Sequence, residues 1–181
     1  MKELIKKCKD FERTAQKEVV ALLSPMLFSI CRRYSFNDKH ASNDLVQEAL
    51  IKIFNNIDKC HAKDELTFRA WCKRIAINNA LAKKRKNSIY VEEITHDYSK
   101  NYEFPEVLAS LNVDDILKLL EQIPEHHRLV FNLSIIDGYN HKEIASILKI
   151  KEASSRTFLT RARQTMQKLI KQEWGLLNIA K

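Results

Sequence analysis

Apolar residues recur along this chain at three- and four-residue spacing and show no sustained alternation, so helices are predicted throughout. The first runs from about residue 9 to 23, with Phe11, Ala15, Val19 and Leu22 inward. Ser24-Pro25 then restarts the chain, serine as cap and proline at the first helical position, where its missing donor is harmless. The next helix carries Met26, Leu27, Ile30, Cys31 and Tyr34 and stops near Asn37-Asp38. A third opens at Ser42, Asn43 or Asp44 and runs to about Ile57. Its stripe is Val46, Leu50, Phe54 and Ile57, widened by Leu45, Ala49 and Ile53, which leaves Asp44, Gln47, Glu48 and Lys52 outside. After the polar loop Asp58 to Leu66, a fourth helix is expected over about residues 67–86. Phe68, Trp71, Cys72, Ile75 and Ala76 face its core, whereas Arg69, Lys73, Arg74, Asn78 and Asn79 do not.

Periodicity lapses from Asn87 to Ser110, a stretch with acidic and aromatic residues and Pro105, which reads as a linker between domains. It resumes over about 113–122, breaks at Pro124 and returns over 125–136 with Leu129, Val130, Leu133 and Ile136 inward, ending at Asp137-Gly138. The remaining pattern, residues 140–171, reads as a helix-turn-helix. Asn140 caps the first helix and Glu143 bonds back to it, while Ile144, Ala145 and Leu148 form its buried stripe. Lys149-Ile150-Lys151 is the turn, with Ile150 as apolar plug. In the second helix Leu159, Ala162, Met166 and Leu169 share one side, leaving Arg156, Thr157, Thr160, Arg161 and Arg163 to point elsewhere. Such a helix fits a major groove, where arginine reads guanine edges and holds phosphates. The C-terminal part is thus a four-helix unit, and the fold expected is all-α: two small helical domains, 1–86 and 113–181, joined by a flexible linker over 87–112.

Composition agrees with packed helices, since 45% of the 181 residues are hydrophobic and only two are glycine. The formal charge of +8 points to a polyanionic partner. Its distribution is uneven: residues 1–86 carry 19 Lys/Arg against 10 Asp/Glu, residues 87–119 carry 2 against 7, and residues 120–181 carry 10 against 6. Two basic blocks therefore flank an acidic connector. The N-terminus has no apolar segment of signal-peptide length and no run approaches a membrane span, which leads us to expect a cytoplasmic protein without membrane insertion. Cys8, Cys31, Cys60 and Cys72 form no CxxC pair, so free thiols are expected rather than a disulfide framework or a zinc site.

The order of these elements resembles the extracytoplasmic-function (ECF) sigma factors of the bacterial sigma-70 family. ASNDLVQEALIKIFNNID followed by FRAWCKRIAINNALAKKRK resembles the family's region two, and LEQIPEHHRLVFNLSIIDGYNHKEIASILKIKEASSRTFLTRARQTMQKL its region four. The resemblance implies a subunit that binds core RNA polymerase, recognises promoter DNA and promotes strand opening for transcription initiation. It implies that Asp44, Gln47, Glu48 and Lys52 dock on the clamp helices of the polymerase beta-prime subunit, with the beta flap as a further contact. It implies a minus-ten surface of Asn78, for a base or backbone contact, with Arg74, Lys83, Lys84 and Arg85 on phosphates. Trp71 could stack on a base, but its place in the stripe with Phe68 and Ile75 favours the core. For the minus-thirty-five element it implies Arg156, Thr157, Phe158, Thr160 and Arg161, with Arg163 on phosphate. Three residues depart from the family's common pattern: Lys149 where a turn glycine is frequent, Ser155 where an aliphatic residue packs, and Phe158 where a basic residue is common. Phe158 could contact a thymine methyl or fill the space that Ser155 leaves. The resemblance also implies an anti-sigma factor as partner.

Nothing in the chain suggests catalysis. Its histidines join no nucleophile motif, its two glycines cannot build a phosphate-cradling loop, and its carboxylates are scattered, so neither a catalytic residue, a metal nor a cofactor is expected. A stand-alone helix-turn-helix regulator and a helical interaction module with an incidental basic surface are the other readings. The first would need a dimerisation or ligand domain where the region-two resemblance lies. The second would show little salt dependence in any DNA binding.

Overall fold

The computed structural model describes residues 1–36, 38–87 and 113–174. The chain divides into two compact units, Met1–Ile89 and Tyr90–Lys181. Apart from Asn87, the linker expected over 87–112 lies outside the described residues, as does Asn37.

The first unit is built from α1 (Lys2–Lys9), α2 (Arg13–Tyr34), α3 (Lys39–Asn55) and α4 (Glu65–Asn87), with a 3-10 turn at Ile57–Lys59 between the last two. Helices α2, α3 and α4 pack on one another, and α1 lies on α2 and the 3-10 turn. The expected break at Ser24-Pro25 does not occur: α2 runs straight through Pro25. Ala15, Val19, Leu23, Leu27, Ile30 and Tyr34 form one stripe on both sides of the proline, all buried. This continuous apolar face outweighs the hydrogen bond that proline cannot donate. Ser24 does not cap; its hydroxyl donates back to the Val20 carbonyl at 2.6 Å. Phe11, expected inward, is 82% exposed. It lies in the reversal between α1 and α2 with φ +59°, where its amide donates to the Cys8 carbonyl, so it precedes the stripe rather than starting it.

Helix α3 begins earlier than expected because Asp38 caps it, accepting from the Ala41 amide at 3.0 Å. Ser42 is buried instead, its hydroxyl 2.6 Å from that of Ser35. Likewise Asp64 caps α4, accepting the Thr67 amide at 2.8 Å. That backbone bond, with the Thr67 hydroxyl, holds the exposed Asp64 carboxyl below its ordinary range. Phe68, Cys72 and Ala76 are buried as expected, and Ile77, Ala80 and Leu81 join them. Asn79, expected outside, is only 3% exposed. All four cysteines are free and buried, and burial pushes the Cys31 and Cys72 thiols up to about 12.

The second unit comprises α5 (Val113–Glu121), α6 (Glu125–Phe131), a π-helical segment Asn132–Ile136, α7 (His141–Leu148) and α8 (Glu152–Trp174). Helix α8 is its axis, packing against α5, α6 and α7. Arg128 is buried and donates from Nη1 to the Leu120 carbonyl at 3.1 Å, bringing positive charge to the C-terminal end of α5. Burial pulls its pKa down, against Glu125 and Glu121. The π segment turns the chain more slowly than an α-helix would, so Ile136, expected inward, is 39% exposed, whereas Leu129, Val130 and Leu133 are buried. Gly138 closes the segment at φ +81°, followed by a Tyr139 amide bond to the Leu133 carbonyl at 2.9 Å.

Candidate nucleic-acid interface and the polar face of α3

The helix-turn-helix is α7, a tight turn and α8. Both halves of the capping box are present: the Glu143 amide donates to Asn140 Oδ1, and the Asn140 amide to Glu143 Oε2, each at 2.9 Å. Ile144 is fully buried, with Ala145 and Leu148 half-buried. Lys149 ends α7 in the left-handed conformation at φ 57°, ψ 45°, the geometry that glycine adopts without strain. Ile150 is half-buried, and its amide donates to the Ala145 carbonyl at 3.1 Å.

The first turns of α8 are buried on most sides. Leu159, Ala162 and Met166 are in the core as the spacing predicts, but so are Ser154, Ser155, Thr157 and Phe158. Two of the groove-facing residues expected from the resemblance are therefore displaced. Phe158 is 4% exposed and lies against the rings of His126 and His127, with centroids at 6.2 and 5.2 Å. Thr157 is also buried, its hydroxyl donating to the Ala153 carbonyl at 3.1 Å. For Phe158 the physical reason is α6, which packs on α8 and covers a flank that a wheel of α7 and α8 alone leaves open. The exposed face of α8 contains Arg156, held by Glu152 at 2.6 Å, with Thr160 and Arg161 half-exposed beside it. Arg163 is half-buried, with its Nε buried and unpartnered.

Ser155, which stands where an aliphatic residue commonly packs, is fully buried and lies 2.9 Å from Nδ1 of His141 across the motif. This polar pair, absent from the sequence reading, ties the start of α7 to the start of α8. Burial, then the cation of Arg156, with Arg163 adding to it against Glu152, hold the His141 imidazole below its ordinary pKa.

In the first unit the five residues expected at the minus-ten element divide. Arg74 and Asn78 are exposed on one face of α4. Lys83, nine residues beyond Arg74, is about half a turn around the helix from it. There Lys83 Nζ meets Glu48 Oε1 of α3 at 3.2 Å. Lys84 lies over the Phe36 ring, 3.3 Å from its centroid. The Arg85 side chain lies outside the described residues. Trp71 is half-buried with its ring 6.2 Å from that of Phe68, in keeping with the apolar stripe.

On α3, Asp44, Gln47 and Lys52 are exposed and Glu48 half-exposed. The buried Asn79 links the last two: its amide donates to Glu48 Oε2 at 3.1 Å, and its Oδ1 accepts from Lys52 Nζ. Burial works to raise the pKa of Glu48, but the bonds from Asn79 and Lys83 and the charges of Lys83 and Lys52 outweigh it, leaving the carboxyl lowered. Asn79 was detectable in principle, since Phe68, Cys72, Ala76 and Asn79 follow helical core spacing; its polarity disguised it. Among the described residues no group of three His, Cys, Asp or Glu side chains is placed to hold a metal, and no helix is long and apolar enough to cross a membrane.

Two helical units, one carrying a capped helix-turn-helix with an arginine-bearing second helix, define a DNA-binding protein of modular design. Comparison with known proteins makes this specific. The Sigma-70 region 2 family matches residues 19–89, and the Sigma-70 region 4 family residues 114–166. The chain is 25% identical to the ECF RNA polymerase sigma factor SigW of Bacillus subtilis over 184 aligned positions, covering 94% of this chain and 97% of that one. It is 28% identical to the ECF RNA polymerase sigma-E factor of Escherichia coli K12 over 139 positions, covering 68% of this chain and 70% of that one. Among solved structures, CnrH in complex with the cytosolic domain of CnrY shares the fold with a TM-score of 0.53 at 19% identity, over 94% of this chain and 96% of that one. The sigma factor RpoE of Bartonella quintana, in complex with the anti-sigma factor NepR, has a TM-score of 0.54 at 23% identity, over 91% and 99%. The chain belongs to the sigma-70 family, as an RNA polymerase sigma factor of the ECF type acting in transcription initiation.

Proposed function

We propose that this sigma factor works as a two-part promoter clamp in the cytoplasm, with residues 1–86 engaging core polymerase and the minus-ten element, 113–181 the minus-thirty-five element, and 87–112 connecting them. The observation that carries the reading is the pairing of an exposed polar α3 face, Asp44, Gln47, Glu48 and Lys52, with a recognition helix whose exposed face bears Arg156 and Arg161. The α3 face docks on the beta-prime clamp helices, a polar helix surface against a coiled coil. Arg74 and Asn78 hold the opened strand, a phosphate contact beside a base or backbone contact. Arg156, Thr160 and Arg161 meet the major groove, and Arg163 a phosphate. The second unit further contacts the beta flap. The chain performs no catalysis: bond formation belongs to the polymerase, and the factor supplies binding energy and strand capture.

The solved relatives bound to CnrY and to NepR support a protein antagonist for this chain as well, an anti-sigma factor that covers the same faces. In a reconstituted assay the protein should convert cognate core polymerase from unspecific to promoter-selective initiation. Failure to bind core, or binding without selectivity, overturns the proposal. A sharp operator footprint from the free protein would instead favour a stand-alone regulator.

A further inference from the structure

The α3–α4 seam carries more than the four residues proposed for docking. Ile51 is 59% exposed, at the middle of the face formed by Asp44, Gln47, Glu48 and Lys52. An exposed apolar side chain ringed by polar groups is the arrangement of an interface anchor with its surrounding seal. The ring is ordered before any partner arrives: the buried Asn79 bonds Glu48 and Lys52 at once, and Lys83 of α4 closes on the other oxygen of Glu48. Cation, anion and cation thus stand in fixed sequence across two helices. Lys83 sits in this array and about half a turn away from Arg74 and Asn78.

We infer that the polymerase-docking face extends from α3 onto α4, with Ile51 as its apolar anchor, Lys83 as a contact to core polymerase instead of promoter DNA, and Asn79 as the positioning residue that orients Glu48 and Lys52. The inference rests on the α3 docking reading above. The partner is core polymerase because the array is continuous with that face and alternates in sign, which suits a charged coiled coil and does not suit a polyanion. A DNA strand laid along it would meet Glu48 between its two cations.

The test separates the two surfaces with full-length protein. Affinity for core polymerase is measured by competition, and preassembled holoenzyme at saturating core is titrated with short mixed-sequence single-stranded DNA over a range of salt. Ile51→Ala should weaken core binding by about fivefold or more. Lys83→Met should weaken it by roughly two- to fivefold, the scale of an exposed ion pair, with DNA affinity and its salt slope unchanged. Arg74→Met should do the reverse, reducing the salt slope for the strand by about 0.7. Asn79→Ala should lower core affinity in the parent and much less in a Glu48→Gln background, a non-additivity that general destabilisation would not produce. If Asn79→Ala fails to fold, Asn79→Ser takes its place in that cycle, and the Glu48→Gln and Lys83→Met pair provides a second cycle on the other arm of the array, where strict additivity would count against a preordered array. Loss of DNA affinity in Lys83→Met with core affinity intact overturns the inference, and so does an unaltered core affinity in both Ile51→Ala and Lys83→Met. If Asp44→Ala and Gln47→Ala also leave core binding unchanged, the α3 docking reading itself has failed.

Discussion

His141 and Ser155 meet at 2.9 Å across the helix-turn-helix, a polar pair between the first residue of α7 and the first turn of α8. The pair holds the two helices together at their N-terminal ends. Replacing the fully buried Ser155 with alanine removes this bond, and with the imidazole half-buried the cost should be about 0.5–1.5 kcal/mol. Acid should act on the same spot. The folded-state pKa of His141 is lowered, so the unfolded chain binds the proton more readily and stability rises with pH. Its contribution is present above the ordinary histidine range near about 6.5 and is lost as pH falls through that range toward the lowered folded value. Protection factors of α7 and α8 amides in the full chain, taken relative to the intrinsic exchange rate at each pH, should therefore fall on acidification, and His141→Asn should flatten that response. An unchanged pH profile in His141→Asn would refute this assignment.

Phe158 acts on stability before it acts on promoters. With 4% exposure and two histidine rings against it, truncation to alanine should cost about 3–5 kcal/mol and loosen the second unit as a whole. Limited proteolysis of full-length protein should release α6 to α8 fragments in Phe158→Ala and hardly any in Phe158→Leu. A Phe158→Ala protein with parental protease resistance that fails only on DNA would return this residue to the groove.

What the sequence made legible follows from which interactions are local. The Asn140–Glu143 capping box, the turn at Lys149 and the Leu159, Ala162 and Met166 part of the α8 stripe depend on neighbours within a few residues and appear as read, whereas Leu169 is half-buried and Ile170 takes the buried place beyond Met166. Pro25 misled because a local breaker was weighed without the continuous stripe from Ala15 to Tyr34 that tertiary packing rewards. Asn79 and Phe158 misled for a related reason: a wheel drawn for one helix or one pair does not contain the neighbouring helix that buries its flank. The resemblance alone places Lys83 beside Arg74 at the minus-ten element, and nine residues of helix separate their directions.

Arg156 offers a discriminating measurement on the exposed face of α8. Its guanidinium is held by Glu152 at 2.6 Å, so the side chain is partly ordered along the helix. Arg156→Ala should cost on the order of 1–3 kcal/mol on cognate promoter DNA if the residue reads a base edge, and much less on random duplex. Equal loss on both, with a salt slope reduced by about 1, would assign it to phosphate instead. Holoenzyme binding to the two duplexes across salt decides between them.

Lys149 tests how this motif balances strain against charge. Its left-handed backbone at φ 57° costs a non-glycine residue roughly 1–2 kcal/mol, part of which glycine returns through its greater freedom in the unfolded chain. Lys149→Gly should therefore stabilise the second unit by about 1 kcal/mol, raising its melting midpoint by roughly 4–8 °C. The same change removes a cation from the turn that leads into α8. If that cation meets the DNA backbone, the more stable variant should bind duplex less tightly, with a salt slope smaller by about 1. Calorimetry and a salt titration on one protein separate the two effects. A Lys149→Gly protein that is no more stable than the parent would show that the left-handed cap carries no strain.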